Sequence, residues 1–165
     1  MSTRVSKKKV GVLQFALIRA IREFIAGAVL HNQRLADQLG INYTDQQVLN
    51  LVDLAGSAKP GDLARMTGLT TGGVTVCLDR LERAGFIRRE RNPDDRRSVI
   101  VRTRPERMKE VMALYRSVNE VMGEIFSAYS EKELETVLDF LERTNRTRVE
   151  TYGAEEAKKS KGASG

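Results

Sequence analysis

The sequence has one cysteine, one histidine and no tryptophan. A single cysteine excludes an internal disulfide and fits a reducing, cytoplasmic compartment. One His and one Cys cannot build a metal site of the usual His/Cys type. There is no glycine-rich phosphate loop of the P-loop or dinucleotide form. No cofactor is expected, and with no convergent catalytic set an enzyme ranks last among the function classes. No apolar run reaches the roughly 18 residues that a membrane span needs. The apolar stretch after the basic N-terminus is broken by Arg19, Arg22 and Glu23, which argues against a signal peptide. No internal repeat is visible.

What is present is charge. Charged residues make up 30% of the chain and the net charge is +6, with a sequence pI near 9.7, so an anionic partner is expected. The apolar content of 41% is enough for the core of one domain or one subunit of a dimer. Between Ser57 and Arg104 there are eleven Lys/Arg against six Asp/Glu. Nearly all the surplus positive charge therefore lies in that stretch.

The same stretch reads as two short helices and a hairpin. Pro60 suits the first helical position, and Asp62 sits in the first turn, where the helix dipole favours an anion. Gly68 breaks the first helix, and Thr70 or Thr71 can cap the second. That second helix carries Val74, Cys77, Leu78, Leu81 and Ala84 as one apolar stripe, and Gly85 ends it. Ala64, Gly68, Val74 and Cys77 have the spacing of a helix-turn-helix, whose second helix enters a DNA major groove. The opposite face holds Thr71, Gly72, Gly73, Thr75, Val76, Arg80 and Arg83. The paired glycines cost helix propensity and make sense where bare N–H groups meet phosphates. A plain helical hairpin with a solvated outer face is the competing reading. Phe86–Glu90 and Ser98–Arg102 then read as strands around a charged tip, Arg91 to Arg97. A basic hairpin beside a helix-turn-helix is a wing, and an arginine at its tip can enter a narrow minor groove.

At these residues the chain resembles the MarR family of bacterial transcriptional regulators. The matching segments are Tyr43–Leu49, Leu63–Leu69, Val74-Thr75, Leu78–Ile87, Asp95-Arg96-Arg97 and Val99-Ile100-Val101, within a likeness that covers about residues 12–150. The resemblance implies that Asp95 braces the wing, that Arg97 inserts, and that Arg80 lies near the DNA backbone. It also implies a homodimer and a pocket for a small lipophilic or aromatic effector, for which Phe24, His31, Met112 and Tyr115 are the candidates. The family usually continues Leu-Thr-Pro-x-Gly after the wing. Here the chain reads Thr103-Arg104-Pro105-Glu106-Arg107, leaving Arg104 and Arg107 to add phosphate contacts.

The remaining chain is divided accordingly. Residues 1–11 form a flexible basic arm, either a solvated tail or an extra phosphate contact. Residues 12–40 and 105–152 form dimerisation helices, the first apolar on most sides and so buried on more than one. Residues 41–104 are the DNA-binding lobe, and 153–165 a disordered tail. Thr44–Gln47 and Ser130–Glu133 have capping-box form; Val48, Leu49, Leu51, Val52 and Leu54 pack the helix between, and residues 57–59 can form a short third strand. His31 is either a polar spot near its helix end or a pocket residue. Cys77 is either core or a thiol whose oxidation disturbs the second helix.

The expected fold is mostly α with a small β-hairpin wing. The expected function is sequence-specific binding of double-stranded DNA by a cytoplasmic homodimer, as a ligand-responsive repressor. Thr70, Thr71, Gly72, Gly73, Thr75, Val76, Arg80, Arg83, Arg96 and Arg97 are the expected DNA-facing residues. The alternative is a winged-helix module that binds protein rather than DNA.

Overall fold

The computed structural model describes the backbone of residues 2–93, 95 and 97–162, and the side chains of 10–93, 95 and 97–147. The chain folds as two units, Met1–Tyr43 and Thr44–Gly165. The first unit is essentially one helix, α1 (Ser2–Leu39). Its apolar residues are largely uncovered: Phe15, Leu17, Ile18, Phe24, Ile25 and Leu30 are all exposed. The burial expected for them on more than one side is not met within a single chain.

The second unit runs α2 (Tyr43–Ala55), α3 (Pro60–Thr67), α4 (Thr71–Arg83), β1 (Ile87–Arg91), β2 (Val99–Thr103), α5 (Pro105–Ser127) and α6 (Glu131–Gly162). The two strands pair antiparallel, with Ile87 opposite Thr103 and Arg91 opposite Val99. The expected third strand is a single bridge, Ala58 to Val101. α4 packs on α3 and β1, and β2 lies against α3. Leu49, Leu63, Val74, Leu78, Leu81, Phe86, Ile87 and Val101 are fully buried and form the core beneath the helix pair and the hairpin. The fold is the expected one, helical with a two-stranded wing.

Local chemistry explains the boundaries. Pro60 and Pro105 open α3 and α5, where a missing N–H is no loss. Gly68 (φ 71°) closes α3, and Gly85 (φ 79°) lets the chain leave α4; both conformations are strained for other residues. After Gly85, the Phe86 N–H donates to Leu81 O at 3.0 Å, a Schellman closure. Arg104 N–H then donates to Phe86 O at 2.8 Å, so the two legs of the hairpin are joined at their base.

Several expectations are corrected. α2 starts at Tyr43, one residue before the expected cap, so Thr44 lies inside the first turn. Gln47 donates to the Gln46 side chain rather than closing a capping box. The Ser130 box is made in half: Glu133 accepts from both the N–H and the hydroxyl of Ser130, and these bonds hold its carboxyl below the usual range. Leu54 is 85% exposed, because it falls on the side of α2 opposite the buried Val48, Leu49 and Val52. Ala84, expected on the stripe, is the exposed C-cap of α4. In the arm expected to be flexible and the tail expected to be disordered, the backbone is helical, residues 2–11 within α1 and residues 153–162 within α6. Once a helix exists, extending it through Lys, Ala and Glu is far easier than starting one. Residues 1 and 163–165 lie outside the described residues.

Candidate nucleic-acid interface

α4 turns its apolar stripe inward, with Val74, Cys77, Leu78 and Leu81 buried. Thr71, Gly72, Thr75, Val76 and Arg83 stand on its exposed side. Thr70 is the N-cap: its hydroxyl oxygen accepts from the Gly73 N–H at 3.1 Å. The Thr75 hydroxyl donates to Thr71 O at 3.0 Å, so it offers an acceptor oxygen and a methyl group to any partner. The two glycines have different causes. A Cβ on Gly73 would meet Thr70 Oγ1 at 3.3 Å, crowding the cap, whereas one on Gly72 would meet nothing within 4 Å. No feature of the chain itself therefore requires a glycine at 72.

Both flanks of α4 are held by ion pairs. On one, Arg80 donates through Nε to Asp45 Oδ2 at 2.7 Å and through Nη2 to Asp45 Oδ1 at 2.6 Å. The same Nη2 lies 3.5 Å from Cys77 Sγ. Its bonds to the Asp45 carboxylate, set against burial, hold the Arg80 guanidinium above its ordinary pKa. On the other flank, Arg89 of β1 donates to Asp79 at 2.6 Å and to Glu82 at 2.5 Å, and its N–H donates to Glu82 at 3.0 Å. The base of the wing is thereby fastened to α4.

Arg80, expected near the DNA backbone, is already paired with Asp45. Arg104 and Arg107 are likewise engaged. Arg104 donates to Ile87 O at 3.1 Å. Arg107 pairs with Glu110 at 2.5 Å and lies over the Phe86 ring at 4.4 Å. Of the other basic groups in this lobe, Arg65 pairs with Asp62, Arg88 with Glu90, and Arg102 also approaches Glu90. Among the described residues, Arg83, Arg91 and Arg97 have no carboxylate partner. Lys59, the N-cap of α3, likewise has none, and Arg104 bonds only a carbonyl, so the spare positive charge lies on α4, along the wing and at the start of α3 and α5.

At the wing tip the Asp95 carboxylate accepts from the Arg97 N–H at 3.1 Å, and Asp95 O accepts from the Ser98 N–H and hydroxyl. Asn92 is buried and donates to the Ser98 hydroxyl at 3.0 Å. The Arg97 side chain is exposed. Arg96 lies outside the described residues.

The four pocket candidates are divided between the two units. Phe24 and His31 belong to the first unit and Met112 and Tyr115 to the second. Phe24 is exposed and His31 half-buried. Met112 lines an open depression along α5 with Lys109, Ala113 and Arg116. Tyr115 instead turns to α2, its oxygen accepting from Gln46 at 2.8 Å and from Asn50 at 3.3 Å.

Cys77 is 3% exposed. Burial first, then the neighbouring Asp45, pushes its pKa from 9.0 up to about 11. The thiolate is the reactive form, so a maleimide at pH 8 should label native protein far more slowly than unfolded protein; equal rates would show an open thiol. Because the folded state keeps the proton more tightly, stability should fall as pH rises from about 9 toward about 11.

Among the described residues, no group of three or more His, Cys, Asp or Glu is placed to hold a metal ion, and no helix is long and apolar enough to cross a membrane.

The MarR family model matches residues 41–99, the stretch that carries this interface. The chain is 35% identical to the HTH-type transcriptional regulator YcgE of Bacillus subtilis (strain 168), over 86% of this chain and 90% of that protein. Among solved structures, the transcriptional regulator Tm0710 from Thermotoga maritima shares the fold at a TM-score of 0.58 and 20% identity, over 82% of this chain and 96% of that one. A mutant MarR from E. coli complexed with operator DNA superposes at 0.51 and 22% identity, over 78% and 92%.

Proposed function

The chain belongs to the MarR family, and we propose that it is a homodimeric, sequence-selective repressor that binds a pseudo-palindromic operator. The observation that carries this reading is the set of cations that face outward with no carboxylate partner among the described residues, which includes Arg83 on the outer side of α4 and Arg91 and Arg97 along the wing. In this reading α4 enters the major groove, with Thr71, Thr75 and Val76 toward base edges. Val76 suits a thymine methyl group. Arg83 serves phosphates, Arg97 the minor groove, and Gly72 admits a phosphate close to the helix N-terminus.

The exposed apolar residues of α1, with Val121, Ile125, Phe126, Val137, Leu138 and Leu141 of α5 and α6, support dimerisation through these helices. Uncovered apolar surface on that scale needs a partner. Two α4 helices about 34 Å apart would then meet successive major grooves. A small lipophilic or aromatic effector, held near Phe24, His31, Met112 and Tyr115, would release the DNA by favouring the state that binds it less well. The bonds from Gln46 and Asn50 to Tyr115 offer a physical link between α5 and the helix that precedes the DNA-binding pair.

Selection from a random duplex pool tests the proposal. The expected product is an inverted repeat with half-sites about 10 bp apart, bound with a steep dependence on salt. Recovery of no common sequence would favour the protein-binding alternative. Gly72→Ala tests the α4 N-terminus separately. It should stabilise the fold by up to about 1 kcal/mol through helix propensity, yet weaken duplex binding; a stabilised variant with unchanged affinity would remove the phosphate contact.

A further inference from the structure

Asp45 is the only charged residue that is buried among the described residues, at 1% exposure. Both of its oxygens accept from Arg80, one from Nε and one from Nη2. This is the two-pronged geometry in which arginine–carboxylate bonds are strongest and most directional. The pairing consumes one edge of the guanidinium. Nη1 remains, and 40% of the Arg80 side chain is still exposed. On α4, Arg80 lies one turn beyond Val76 and one turn before Arg83, at the margin of the exposed side.

A carboxylate this deeply buried does not readily give up its counter-charge. A phosphate approaching Arg80 therefore meets a guanidinium already fixed in direction and largely neutralised. That changes the kind of contact it can make. A mobile cation attracts every duplex alike through counterion release. A fixed donor serves only a duplex whose backbone lies in register with it. Selectivity is a difference between two affinities and gains as much from weakened wrong binding as from strengthened right binding.

We propose that Asp45 is a specificity-determining residue for duplex binding: it aims Arg80 and cancels most of its charge, so that Arg80 discriminates register through Nη1. This rests on the reading of the chain as a duplex-binding regulator. Asp45 itself touches no DNA and acts as a positioning residue through Arg80.

The test compares the full-length wild type with Asp45→Asn and Arg80→Lys, on the selected duplex and a scrambled one, across a salt series. Asparagine keeps the shape and one acceptor but removes the charge. Asp45→Asn should bind the scrambled duplex more tightly, steepen the salt slope by up to about 0.9 per subunit, and lower the selected-to-scrambled ratio. Arg80→Lys keeps the charge but loses the fork; it should leave the slope unchanged and lower the same ratio. If Asp45→Asn changes only the melting temperature, with slope and ratio as in the wild type, the pair is structural and the proposal is overturned. If Asp45→Asn fails to fold, Arg80→Lys decides alone: an unchanged ratio overturns the proposal. A wild type that prefers no duplex would instead sink the functional reading, and this one with it.

Discussion

Replacing Phe86 by alanine should lower stability by about 3–5 kcal/mol, the usual cost of deleting a buried aromatic ring. Phe86 is fully buried and sits where α4 gives way to the wing. Its carbonyl accepts from Arg104, and Arg107 lies over its ring. Losing the ring therefore opens a cavity and also strips a cation of its aromatic partner. A lone cavity would be repaired in large part by leucine. Phe86→Leu should recover most of the packing but not the contact with Arg107, so its loss should fall well below that of alanine. Denaturant unfolding of the two variants measures both. A loss under about 1 kcal/mol for Phe86→Ala, the scale of an ordinary surface change, would show that the wing base is not packed as described.

Arg97→Ala should leave the fold intact and weaken operator binding by about 1–3 kcal/mol per wing, the range for one directed arginine contact. The Arg97 side chain is exposed and without a carboxylate partner among the described residues, so its removal strands no buried charge. The bond to the Asp95 carboxylate is donated by the Arg97 backbone N–H and survives the substitution. The salt slope should fall by about 0.9 per subunit. Discrimination at A·T-rich positions beneath the wing should relax, because a narrow minor groove attracts arginine most strongly. Titrations of selected duplexes, with the A·T tract intact or replaced, read both effects. Full affinity in Arg97→Ala would take the wing out of recognition.

The period of the apolar residues was enough to place α4: Val74, Cys77, Leu78 and Leu81 recur at helical spacing and are the residues the core buries. Proline and glycine were equally legible, since their backbone restrictions are local. The fold class followed from such local signals. The partners of the charged side chains were not legible. Asp45 and Arg80 are 35 residues apart, and Arg89 reaches back across the wing base to Asp79 and Glu82. A count of charges gives a net value but not which cations are already taken. The capping-box reading failed for a related reason. Thr44 and Gln47 fit the pattern, but α2 begins at Tyr43 and its first-turn acid, Asp45, is turned to Arg80.

The joint at the base of the hairpin has a mechanical consequence. Phe86 and Arg104 are tied by a backbone bond, and α5 begins at the next residue, Pro105. The first turn of α5 and the wing therefore pivot about one fulcrum. The five residues of each strand separate that point from the tip loop, a lever of about 17 Å at 3.3 Å per residue. Tilting such a lever by about 5° sweeps its end through about 1.5 Å, enough to break a hydrogen bond whose length varies by only a few tenths of an ångström. A small tilt of the first turn of α5 is thus geared up at Arg97, at the far end of the arm.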